Sequence, residues 1–473
     1  MFAVFSASAT RRRRAARRLA AVAVASGLMA VGSIAGAGAA VADDALQHQG
    51  GAVATLDGLQ TYDEAVLHTD GKDQEILAGL FEMTVDGGGQ LQTYCIDIHN
   101  PTQDQAKYLE TPWDQTSLND NENAGKIRWI LQHSFPQVND LAALAKRAEL
   151  GGPLTDRTAA AGTQVAIWRF SDGADVTASD PQAEKLADWL EKSAQDLAEP
   201  KASLSLEPNA VSGKPGGRLG PVTVRTDAGE VAVTPPADAA ASGIKITDEA
   251  GKPVTSAADG SKLYFDVPED AADGTAALGV QASLSVPVGR AFASATKSQT
   301  QILAGSSQST VSAKATATWA KAGAIPSLSA KKNCAKGGVD ITAGNKGDAP
   351  FTFSLAGFEH TIEAGASRTV TVPVAEDQAY DFTIIGPGGF KKNFKGVLDC
   401  KTASAPQEPG TETPSPQPSP ASAGGTSAGL EGDLAATGGS SATPMIAGIA
   451  LALVLVGGGA VFFFRKKKTT AGE

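Results

Sequence analysis

The chain has 473 residues, 42% of them hydrophobic and 19% charged, with a formal net charge of −11. That length accommodates two to four domains, and the acidic balance argues against nucleic acid or an anionic lipid surface as a partner. With three cysteines, at least one is left unpaired within the chain, to be buried, shared between chains or used chemically.

The first 42 residues read as a signal peptide. Arg11 to Arg14, Arg17 and Arg18 form a basic region, an Ala/Val/Leu run begins at Leu19, and Ala40-Val41-Ala42 makes a small-residue cleavage site before Asp43. Gly27, Gly32, Gly36 and Gly38 interrupt the run, which disfavours the alternative of a retained anchor helix. General secretion fits these features, and the paired arginines leave the twin-arginine route open beside it.

Residues 43–200 form the first predicted domain, of mixed α+β class. Strand-like segments occupy 52–56, 64–68 and 76–85, and Asp86-Gly87-Gly88-Gly89 turns the last of these back into Gln90 to Ile98. Residues 76–98 therefore read as a β-hairpin. Alternation on its return strand places Tyr94, Ile96 and Ile98 on one face and Leu91, Thr93, Cys95 and Asp97 on the other. Helical spacing predicts helices over 123–135, 138–150, 156–171 and 180–198. The third has Asp156 as its cap, stops at Gly173 and is apolar almost all round, which marks a buried helix. Gln164 sits at its middle, one turn before Trp168.

Residues 201–325 lose helical spacing and show short alternating segments, such as Val222-Thr223-Val224 and Leu263-Tyr264-Phe265, between Gly, Pro and Asp turns. They predict a β-sandwich stalk domain with no chemical constellation. Residues 326–401 predict a third, smaller, Ig-like β unit whose ends are bracketed by Cys334 and Cys400. A disulfide between these two cysteines would contribute roughly 4 kcal/mol, a large share for so small a unit.

Residues 402–433, rich in Pro and Ser, read as a linker that reaches at most about 100 Å. Residues 445–464 are mostly apolar and, as a transmembrane helix, span about 30 Å. The basic tail, 465–473, belongs on the cytoplasmic side. The leader carries six arginines and no acid, and residues 438–473 carry four basic residues and one acid. The exported piece thus keeps 30 basic against 50 acidic residues, a net charge of about −20.

Cys95 and Gln164 each have an ordinary explanation. A free cysteine is commonly a small buried hydrophobe. A buried glutamine is commonly satisfied by hydrogen bonds, because leaving its amide unpaired costs on the order of 1–3 kcal/mol. His99 and His133 raise Cys–His chemistry, but His99 reads as a loop residue just past the strand. No Cys/His cluster has metal-ligand spacing and no glycine-rich phosphate loop occurs, so neither a metal nor a cofactor is expected.

Together, Tyr94-Cys95 and Thr163-Gln164-Val165-Ala166-Ile167-Trp168 resemble the paired strand and helix motifs of the thioester domains of Gram-positive surface proteins. The resemblance implies that the Cys95 sulfur is acylated by the Gln164 side chain with loss of ammonia, supported by Tyr94, Thr163 and Trp168. Thr163 would donate a hydrogen bond near the amide. Leu434-Ala435-Ala436-Thr437-Gly438, just before the apolar helix, resembles the sorting signal of sortase substrates with Ala in second position. This implies cleavage between Thr437 and Gly438 and linkage to peptidoglycan, with an ordinary single-pass anchor as the alternative.

The expected protein is a wall-anchored adhesin that meets the membrane only through its C-terminal helix before sorting. Its thioester would acylate an amine, such as a lysine of a surface protein, once and without turnover, so no enzyme is expected. The alternatives are a passive surface structural protein and a secreted Cys-dependent acyltransferase or peptidase. Stalks of this kind also carry isopeptide cross-links, for which no residue set stands out here.

Overall fold

A computed structural model describes residues 49–69 and 71–402. The signal peptide, linker, Leu434–Gly438 motif, apolar 445–464 stretch and basic tail lie outside the described residues. Among the described residues, no helix is long and apolar enough to cross a membrane.

The head begins with β1 (Val53–Thr69), which pairs antiparallel with β2 (Lys72–Val85) from Ala54 opposite Val85 to Thr69 opposite Lys72. The two strand-like segments at 52–56 and 64–68 are thus one long strand. The polar stretch between them is absorbed by register shifts at Leu56/Gly58 and Leu59/Thr61 rather than by a break. The predicted hairpin forms, its turn closed by the Val85 N–H on Gly89 O at 3.0 Å. Its return strand, β3 (Gln90–Cys95), ends at Cys95 rather than at Ile98. Two further strands follow, β4 (Lys107–Thr111) and β5 (Val176–Ala178).

All four predicted helices are present: α1 (Ala124–His133), α2 (Leu141–Arg147), α3 (Asp156–Ser171) and α4 (Pro181–Ser193). The cap of α3 is Thr155 rather than Asp156. Thr155 Oγ1 accepts the Thr158 N–H at 3.2 Å and Thr158 Oγ1 accepts the Thr155 N–H at 2.9 Å, a reciprocal box that satisfies two donors at once. Gly162 lets α4 pack closely, since a Cβ there would lie 2.4 Å from Ala183 O.

The structure corrects one domain boundary. Two strands from the predicted sandwich region, Ala291–Ser294 and Gln301–Ser306, insert between β3 and β4. Gln301 opposes Cys95, and Ala293 opposes Leu109. The sheet order runs β2, β3, 301–306, 291–294, β4, β1, and the β1–β2 pairing closes it on itself, with β5 added outside on β1. The physical reason is that β3 and β4 would otherwise each present an open edge. The inserted residues Ala291, Phe292, Ile302, Leu303 and Ala304 are fully buried.

The rest of 201–325 forms a four-stranded and a five-stranded sheet, and one continuous apolar core runs through the head and these sheets. Where they join, Arg290 pairs with Glu110 (Nε to Oε1, 2.9 Å) and Glu199 (Nη1 to Oε1, 2.6 Å). The third unit has a three-stranded sheet, two hairpins and a core of its own. Its ends are joined by the Cys334–Cys400 disulfide.

Candidate functional site

Cys95 is the last residue of β3 and lies against α3. Tyr94, Cys95, Ile96, Asp97 and Ile98 are all fully buried, so the strand alternation does not sort them into a wet and a dry face. Helix α3 packs against β3, and the inserted segment pairs alongside it in the sheet. Tyr94 donates its hydroxyl proton to Phe135 O at 2.8 Å, tying β3 to the end of α1. The Ile96 N–H donates to Thr300 O at 3.0 Å, and Thr93 Oγ1 donates to Gln301 Oε1 at 3.1 Å. Tyr108 on β4 contacts Ser298 Oγ and donates to Gln299 O, both at 2.8 Å.

The Gln164 carboxamide is clamped on the backbone of Cys95 itself. Its Oε1 accepts the Cys95 N–H at 2.9 Å, and its Nε2 donates to Cys95 O at 2.8 Å. Gln164 is fully buried, so these two bonds meet the hydrogen-bonding demand that burial creates. They also hold the amide carbonyl beside the cysteine and aim a backbone donor at its oxygen. That is the polarisation an oxyanion-stabilising donor supplies during acyl transfer.

The sulfur sits among directional donors and two carboxylates. Asp97 N–H donates to Cys95 Sγ at 3.2 Å. Trp168, itself buried, has an indole N–H with no hydrogen-bond partner. Burial pushes the Cys95 thiol well above its ordinary pKa, the charges of Asp172 and Asp97 raise it further, and the Trp168 and Asp97 N–H groups oppose this. A free thiolate is therefore disfavoured, and a neutral or acylated sulfur is the form this site accommodates.

Asp172, the C-cap of α3, is a site residue that the sequence reading missed. Its Oδ1 accepts the Ile98 N–H at 3.0 Å and its Oδ2 accepts the Ser171 hydroxyl at 2.6 Å. The residue is only partly covered at its surface, but burial of the carboxyl pushes its pKa up to about 7, against the lowering effect of those two bonds. The signal available in sequence was an acid at the end of an otherwise apolar helix.

Thr163 does not reach the amide. Its Oγ1 donates to Ala159 O at 2.7 Å and meets Ser134 Oγ at 2.6 Å, so it fastens α3 to the end of α1. His99 lies in the turn after β3, half-buried and with its pKa lowered by burial. His133 stacks on Trp129 with ring centroids 3.9 Å apart and bonds Trp129 O through Nδ1 at 2.8 Å. Among the described residues, no imidazole hydrogen-bonds to Cys95.

Residues 92–196 match the family model described as "Thioester domain", and residues 323–397 match "Bacterial phospholipase C, C-terminal domain". No curated protein matches. Solved structures with detectable likeness include the Bacillus anthracis TIE protein, at 13% identity over 74% of this chain and 81% of that one, with a TM-score of 0.26. The thioester domain of the Enterococcus faecium TIE86 protein matches at 16% identity over 57% and 97%, with a TM-score of 0.27. The E. coli chaperone DraB matches at 13% over 41% and 97%, with a TM-score of 0.16. Overlaps this loose carry no argument. The family-model match does: over the stretch that holds both Cys95 and Gln164, the chain is similar to thioester domains.

Proposed function

We propose that the head carries an internal thioester between Cys95 Sγ and the Gln164 side chain, and that the protein uses it for covalent attachment to an amine-bearing target. The observation that carries this reading is the two-point clamp of the Gln164 amide on Cys95, buried within the stretch similar to thioester domains. In formation, the sulfur attacks the amide carbon, the C–N bond breaks and ammonia leaves with the thiol proton. In capture, a primary amine attacks the same carbon, the C–S bond breaks and Cys95 regains its proton. The product is an amide between Gln164 and the target, one equivalent per chain and without turnover. Holding sulfur and carbonyl on a rigid strand and helix supplies the orientation such a step needs, and burial keeps water from hydrolysing the bond. Cys95 and Gln164 are fully buried, so an opening of the elements over them must precede attack by a protein-bound lysine.

The test is the intact mass of the purified chain. The wild type is expected one ammonia lighter than its sequence, with the deficit absent in Cys95→Ala and in Gln164→Ala and erased by methylamine, which labels Gln164. A full unmodified mass, with Cys95 freely alkylated under native conditions, sinks the proposal. Release of product beyond one equivalent favours a Cys-dependent acyltransferase instead.

The same proposal places the protein at the cell surface, exported by the 1–42 leader and joined by sortase to peptidoglycan through Thr437. Replacing Thr437 by Ala is expected to move the protein out of the wall fraction on cell fractionation. Unchanged wall retention in that variant counts against sorting.

A further inference from the structure

The third β unit meets the inserted head segment through Asp399, the residue before the disulfide-bonded Cys400. Asp399 is only 8% exposed. Its Oδ2 accepts the Thr300 hydroxyl at 2.6 Å, while its Oδ1 has no hydrogen-bond partner. An orphaned oxygen on a buried carboxylate is costly and calls for a partner. Asp399 belongs to a group with Glu376 and Asp377 in which one carboxylate oxygen from each lies within 4.8 Å of the others.

Two of the three acids are already held in place. Glu376 Oε1 accepts the N–H groups of Cys400 at 2.6 Å and Lys401 at 2.9 Å, which leaves Oε2 for another partner. Asp377 Oδ2 pairs with Lys297 Nζ at 3.1 Å, which leaves Oδ1. Lys297 pairs with Asp377 and the Lys332 charge acts on both Asp399 and Glu376, but neither ammonium hydrogen-bonds Asp399 Oδ1, which keeps no partner. Three hard oxygen donors at this spacing, one buried and one open to solvent through the exposed Glu376, suit a cation that takes carboxylate and water ligands at flexible geometry.

We propose that Glu376, Asp377 and Asp399 bind a calcium ion that fastens the third β unit to the head. The coupling runs through named atoms. Asp399 holds the Thr300 hydroxyl, the Thr300 carbonyl accepts the Ile96 N–H, and Gln301 opposes Cys95. Calcium at this site stiffens the segment that backs the Cys95 strand, whether or not the thioester forms.

The test uses the mature protein stripped with EDTA and titrated with CaCl2 by calorimetry. One equivalent is expected to bind with Kd in the range of about 10⁻⁴–10⁻³ M that suits extracellular modules. In tenfold excess over Kd the melting midpoint should rise by roughly 3–5 °C. Asp377→Asn is expected to weaken binding at least tenfold, and its melting midpoint should move little from its own EDTA value at calcium levels that shift the wild type. Asp377 sits at φ 59, a left-handed conformation that Asn also tolerates, so this variant carries the test even if Asp399→Asn does not fold. Absence of heat and of a midpoint shift at calcium levels well above that range overturns the proposal. Wild-type affinity in both Asp377→Asn and Glu376→Gln overturns it equally.

Discussion

Glu110→Ala is expected to destabilise the head by about 3–5 kcal/mol or more, the cost of stranding a buried charge, and to unfold it at ordinary temperatures if the margin is typical. The Glu110 side chain is 1% exposed and that of Arg290 3% exposed. Glu110 Oε1 accepts the Arg290 Nε–H and the Ser203 N–H, both at 2.9 Å; Oε2 accepts the Ala52 N–H at 3.1 Å and the Ser203 hydroxyl. Removing the carboxylate leaves a guanidinium and three further donors without their acceptor. Gly51 belongs to the same arrangement, because a Cβ there would stand 2.4 Å from Glu110 Oε2.

Arg290 keeps Glu199 and Pro200 O as partners in the variant, which limits the loss but does not satisfy Ala52 and Ser203. Urea unfolding followed by tryptophan fluorescence measures the effect, since Trp113, Trp129, Trp168 and Trp189 all lie in the head. The double variant Glu110→Ala/Arg290→Met should recover part of the loss, because the uncompensated charge is then gone. A Glu110→Ala midpoint within about 1 kcal/mol of wild type would show that the pair is not what joins the head to the segment around 290.

Much of the candidate site was legible because it is written locally. The hairpin turn at Asp86–Gly89, the span of α3 and the position of Gln164 on a helix apolar almost all round follow from spacing and turn chemistry, and the structure has them. Replacement of the Asp156 cap by Thr155 is a one-residue matter in which a reciprocal box outcompetes a single acceptor. What local pattern cannot carry is partner choice across long separations. The strands at 291–294 and 301–306 look like any others in a β-rich region, and nothing in their alternation says that their neighbours are β3 and β4. One clue was present: Arg290 stands in a run of small and apolar residues, Val288-Gly289-Arg290-Ala291-Phe292, and a charge so placed requires a buried counter-charge. The counter-charge, Glu110, is 180 residues away, so only the fold identifies it. The same long-range closure brings Thr300 and Gln301 behind Cys95.

On the proposed function, aminolysis of the thioester by methylamine, expressed per free amine, is expected to accelerate as pH rises through about 7 and then to level off. Asp172→Asn should slow it roughly 10²–10⁴-fold and flatten the profile. An attacking amine must shed a proton as its C–N bond forms, and the departing sulfur must gain one, because burial and the neighbouring acids keep the Cys95 thiol pKa high. Asp172 is the foremost charge acting on that sulfur, ahead of Asp97 on the strand end. Its carboxyl, with a pKa of about 7, holds a proton below that pH and can accept one above it.

The stability consequence has the opposite sign. A carboxyl whose pKa is raised by folding favours the protonated folded state. The stability Asp172 contributes is therefore complete below the ordinary carboxylate range and lost as pH rises through about 7. Asp172→Asn removes that loss, so at pH 8 the variant should unfold no more easily than wild type while reacting far more slowly. A variant that is both slower and less stable at pH 8 would make Asp172 a structural cap of α3 alone. A variant with the wild-type rate and profile would place the proton transfer elsewhere.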